Sequence, residues 1–91
     1  MLIAGYPTQQ EITSYIRYEK SFNVKPGDIV FIFRKAESFE GGWRYAWIDE
    51  MDFAIRKYGL VLRIDPDGHG ILIEIGQDRF YCPYTCLRII R

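Results

Sequence analysis

Beyond Phe22 the apolar residues fall into short blocks divided by turn-forming residues, and each block has the length of a strand. Ile29-Val30-Phe31-Ile32-Phe33 is β-branched and aromatic and too short for a helix. It follows Val24-Lys25-Pro26-Gly27-Asp28, where proline presets φ and glycine supplies a positive φ. Leu60-Val61-Leu62-Arg63-Ile64 predicts a second strand and Ile71-Leu72-Ile73-Glu74-Ile75 a third. Between them Asp65-Pro66-Asp67-Gly68-His69-Gly70 has the Asp-Gly chemistry of a tight hairpin. Gly76-Gln77-Asp78 turns into a fourth strand, Arg79-Phe80-Tyr81-Cys82. Pro83-Tyr84-Thr85-Cys86 suits a single 3₁₀ turn before a last strand over 87–91.

Two stretches break this rhythm. In the first, Thr8-x-x-Glu11 is a capping box, and Ile12, Tyr15, Ile16 and Glu19 follow at helical spacing. A short helix over about 9–19 is predicted. Alternation of Ile12, Ser14, Ile16 and Tyr18 offers a strand as the rival, and the capping signal decides against it. In the second, residues 36–59 carry no strand period and contain Gly41-Gly42. Asp49 to Lys57 suits one or two helical turns, with Asp49, Glu50 and Asp52 at the positive start and Arg56 and Lys57 at the negative end. Gly59 stops it. No repeats or low-complexity segments occur.

The order is five short strands with a long loop after the first, a tight hairpin between the second and third, and one turn before the fifth. In this order, and in the Lys25-Pro26-Gly27-Asp28 opening, Gly59-Leu60-Val61 and Tyr81-Cys82-Pro83-Tyr84-Thr85-Cys86-Leu87, the chain resembles SH3-like barrels. Trp47-Ile48-Asp49-Glu50-Met51-Asp52 followed by Tyr58-Gly59-Leu60-Val61 is similar to the small barrels of the mind bomb ubiquitin ligases and of short phage and bacterial proteins. The resemblance implies a mainly β fold, a five-stranded SH3-like barrel over 22–91 with a long first loop. Residues 1–21 lie outside it as an N-terminal helical extension. It also implies binding of short peptide segments through the first-loop face. The acidic run paired with Ala-x-x-Tyr, which reads proline-rich ligands, is absent, so PxxP recognition is not implied.

Composition narrows the function. The 91 residues make one domain, and 48% are apolar and 16% aromatic. So small a body cannot bury all its rings, and an aromatic surface patch marks a partner site. Phe39, Trp43, Tyr45 and Trp47 alternate across the glycine-containing loop, and Tyr81 and Tyr84 lie near the other end of the fold. With Arg44 these form the candidate partner-binding set. In an SH3-like arrangement they face the same way. Trp47, Phe53 and Tyr58 can instead turn inward and close the barrel. That placement is favoured for Trp47, whereas Trp43 and Tyr45, beside Arg44 and Gly42, are expected at the surface.

Charge and chemistry remove alternatives. Twelve basic and twelve acidic residues cancel, whereas phosphate binding calls for a basic surface. Arg34, Lys35 and Arg44 beside Trp43 and Tyr45 keep a nucleic-acid module of the KOW or Sm kind as the alternative, and a methyl-lysine cage as a third. Catalysis lacks a base. His69, the single histidine, is expected as a solvated hairpin tip, and the Gly pairs match no phosphate loop. Asp49, Glu50 and Asp52 read as a helix start and not as a metal site, and Cys82 and Cys86 as reduced thiols, at least one of them a core filler. No cofactor or metal is called for. The apolar start Met1–Tyr6 is too short for a signal core, and no run approaches the ~20 residues that span a bilayer. The expectation is a non-enzymatic, cytoplasmic protein-interaction module, a phage-encoded inhibitor of a host factor being one concrete version. Homo-oligomers through the last strand stay open.

Overall fold

The computed structural model describes residues 5–90. Positions 1–4 of the N-terminal extension and position 91 of the last strand lie outside the described residues. Helix α1 spans Gln9–Phe22. Its capping box is formed from both sides: Thr8 Oγ1 accepts from the Glu11 amide at 3.2 Å, and Glu11 Oε1 accepts from the Thr8 amide at 2.9 Å. The helix runs three residues past its predicted end because nothing breaks it before Asn23, which takes the left-handed conformation at φ 60°.

Five strands follow: β1 Ile29–Ile32, β2 Tyr58–Ile64, β3 Ile71–Ile75, β4 Asp78–Cys82 and β5 Leu87–Ile90. They form one antiparallel sheet in the order β4-β3-β2-β1-β5. The fold is mainly β, with one helix. β2 is shared: Tyr58, Gly59 and Leu60 pair with β1, and Leu60 to Ile64 pair with β3 across a register shift between Val61 and Arg63. Such a bulge increases local twist and bends the sheet. The pairings stop at β4 and β5, so the sheet is open at these two edges and its strands do not close into a ring.

One face of the sheet carries the core. Val30, Ile32, Val61, Ile71, Ile73, Cys82 and Leu87 are buried there and cluster with Tyr15 of α1 and with Ala36, Trp43, Trp47 and Met51 of the loop between β1 and β2. Helix and loop thus cover the sheet together, and α1 shares the core of the strands. Three 3₁₀ turns, Glu40–Gly42, Asp49–Ala54 and Tyr84–Cys86, fold the irregular segments down onto it. Cys82 and Cys86 are free and buried. The other sheet face leaves Ile29, Tyr58 and Ile90 exposed.

Candidate partner-binding groove

The turn Asp49–Ala54 builds one wall of an apolar concavity. Trp47 Nε1 donates to Asp52 Oδ1 at 2.7 Å, and the Met51 amide donates to the Ile48 carbonyl at 2.9 Å. These two bonds fix the turn with Trp47 inward and Ile48 outward. Across from it runs the edge strand β4, whose Phe80 sits opposite Ile73 in the ladder and meets the Phe53 ring edge-on at 5.8 Å. Tyr45 closes the end, its ring 5.6 Å from Tyr81 and 4.7 Å from His69. The result is a cavity of about 270 Å³ lined by Tyr45, Ala46, Ile48, Met51, Phe80 and Tyr81. Tyr45, Ile48 and Phe53 remain 43%, 52% and 39% exposed around it. Single exposed apolar residues are ordinary, but three around one hollow form a patch.

His69 is held where it can serve as a wall. Asp65 Oδ2 accepts from the amides of Asp67 and His69 at 3.1 and 3.0 Å and lies 2.7 Å from His69 Nδ1. Burial pushes the Asp65 carboxyl up, but these hydrogen bonds outweigh it and hold the group below its ordinary value. The imidazole is therefore held by Asp65 and only partly exposed, where a freely solvated turn residue was expected, while Pro66 and Asp67 beside it stay exposed. Gly68 faces Ile12 and Ile16 of α1.

The candidate residues separate into distinct environments. Tyr45 and Tyr81 come together in the groove. Trp43, expected at the surface, is fully buried, with its Nε1 donating to the His69 carbonyl at 2.7 Å. The indole is large enough to fill the space between hairpin and helix, and its one polar atom finds a carbonyl there. Trp47 is buried as favoured, whereas Phe53 and Tyr58, weighed with it as inward residues, are exposed. Phe39 takes φ 60° and packs edge-on against Tyr6 at 5.3 Å. Arg44 donates to the Tyr6 hydroxyl at 2.9 Å and to the Asp67 carbonyl at 3.2 Å. Tyr84 tilts against Tyr15 and Phe22 of α1, at 5.2 and 5.8 Å, and so faces the helix and not the groove.

Ile48, Met51 and Phe80 line the groove without standing out in the sequence. Ile48 stands between the core residue Trp47 and the acidic Asp49, and its exposure depends on the turn that follows. Phe80 reads as an ordinary strand residue until β4 is seen to be an edge.

The basic residues weighed for nucleic acid are dispersed. Arg34 donates to both Glu40 oxygens at 2.8 and 2.6 Å, while Arg44 is committed to Tyr6 and Asp67. Asp49, Glu50 and Asp52 stand in the first turn of the 3₁₀ segment, and among the described residues no three His, Cys, Asp or Glu side chains gather as a metal site requires. No helix among the described residues is long and apolar enough to cross a membrane. Comparison of the chain with protein-family models, with curated proteins and with solved structures yields no match.

Proposed function

We propose that this chain is a non-catalytic protein-interaction module that seats a short apolar peptide segment in the groove between the Asp49–Ala54 turn and β4. The observation that carries the reading is the exposure of Tyr45, Ile48 and Phe53 around a hollow floored by Met51 and Phe80. About 270 Å³ suits one or two apolar side chains and is small for a cofactor. Rigid aromatic walls lose little entropy on binding. An SH3-like arrangement is part of the same proposal. A central strand that changes partners across a bulge is the device by which one sheet bends toward a barrel.

The nucleic-acid alternative is weaker, since Trp43 has no free face for a base and Arg34 and Arg44 are already paired. A methyl-lysine cage is weakened by the aliphatic wall that Ile48 and Met51 supply where a third ring would stand.

Affinity capture with the full chain, repeated with Ile48→Ser and with Tyr45→Ser, tests the reading. A protein held by the wild type and released by both variants, at unchanged melting temperature, supports it. Pairwise binding that survives both substitutions overturns the groove as the site.

A further inference from the structure

Resting on that reading, we infer that the groove is selective for a cationic partner: a segment whose apolar anchor is flanked by Lys or Arg. The groove itself is uncharged, but its surroundings are not. Asp49 and Glu50 lie between Ile48 and Met51, two residues of the lining, and both are exposed. Neither carboxylate has a hydrogen-bond or ion-pair partner among the described residues. Asp52, next along, keeps one oxygen on Trp47 Nε1. Across the groove Asp78 is exposed two residues before Phe80.

The neighbouring cations do not neutralise this side. Arg79 of β4 is engaged by Glu74 at 2.9 Å. Arg34 is engaged by Glu40 at 2.6 Å. Arg56 and Lys57 follow the turn, but their backbones are joined to Ile32 of β1. Against these two cations stand four carboxylates, Asp49, Glu50, Asp52 and Asp78, so this side keeps a net negative charge. A chain with no net charge thus gathers unpaired negative charge beside this apolar hollow. A Lys or Arg beside the bound anchor meets exposed carboxylates there, and an acidic neighbour is repelled.

The probe is a random dodecapeptide display library selected on the full chain, with Ile48→Ser as counter-selection. Enrichment of Ile48-dependent peptides carrying Lys or Arg within two positions of an apolar residue is expected. For such a peptide, Asp49→Asn combined with Glu50→Gln should weaken binding about three- to tenfold in low salt, and the loss should vanish near 0.5 M salt. Both substitutions lie at exposed positions without partners, and an unchanged melting temperature verifies that the fold is kept. Ile48-dependent peptides without basic enrichment, or affinity indifferent to the double substitution, overturn the cationic partner and leave the groove in place. Failure to select any Ile48-dependent peptide overturns the groove, and this inference with it.

Discussion

Trp43 Nε1 donates to the backbone carbonyl of His69 across 26 positions at 2.7 Å, joining the middle of the long loop to the tip of the β2–β3 hairpin. The indole is fully buried, so the bond satisfies a donor that would be costly to leave unpaired. Trp43→Ala should cost about 3–5 kcal/mol, most of a small domain's stability, and Trp43→Phe about 1–3 kcal/mol through the orphaned carbonyl and lost volume. Urea denaturation measures both. A Trp43→Ala chain with the wild-type midpoint would show that the indole is not a core anchor.

Gly70 is the other half of that contact. It takes φ +111°, and a Cβ there would stand 2.7 Å from Trp43 Nε1 and 2.8 Å from the Cys82 carbonyl oxygen. Neither neighbour can move, one being hydrogen-bonded and the other backbone. Gly70→Ala should cost about 3 kcal/mol or more, combining backbone strain with overpacking. Gly76, with φ +61° and open space around it, provides the control: its alanine variant should lose only about 1 kcal/mol. Equal losses at the two sites would refute the steric argument.

This pair also explains what could be read in advance. The capping box, the strand blocks and the Asp-Gly hairpin are local signals, and all stand near their predicted positions because neighbours in sequence specify them. Burial of Trp43 is not local. Its receptor is made by His69 and Gly70, more than two dozen residues away, and nothing in Gly42-Trp43-Arg44 announces it. Tyr84 left the expected site for a similar reason, since α1 offers it Tyr15 and Phe22. Tyr45 and Tyr81 were legible as a meeting of loop and fourth strand. Ile48, Met51 and Phe80 were not, because an edge and a turn had first to be placed opposite each other.

Acid should unfasten the long loop. Glu40 accepts from Arg34 through both oxygens, from Thr85 Oγ1 and from the Glu37 amide. The Arg34 hydrogen bonds, against the opposing effect of burial, bring its carboxyl down to about 2 from an ordinary 4.5. The folded value lies below the unfolded one, so this contribution is present above about pH 4.5 and lost as pH falls toward 2. Glu40→Gln should therefore cost about 1–3 kcal/mol at pH 7, with the difference from wild type closing by pH 2. Thermal melts at pH 7, 4 and 2.5 decide it; a constant difference would mean the loss is steric.

Glu19 has the opposite sign. It lies buried on α1, where Tyr15 Oη donates to its Oε2 at 2.7 Å and accepts from the Tyr84 amide at 3.4 Å. Burial pushes the carboxyl up to about 7 from 4.5; the Tyr15 hydrogen bond works against the rise and the negative charge of Asp65 adds to it. A carboxyl raised by folding binds its proton more tightly in the folded chain. Its contribution is thus complete below about pH 4.5 and disappears as pH rises through 7. Glu19→Gln keeps an acceptor for Tyr15 and removes the buried charge. It should raise stability by on the order of 2–3 kcal/mol at pH 8, with the gain fading toward pH 4.5. With Glu40 losing stability on the acid side, the wild type should be most stable near pH 5 and the Glu19→Gln variant should hold its melting temperature on to pH 8. A variant less stable than wild type at pH 8 would mean that the carboxylate is held charged by contacts stronger than its desolvation.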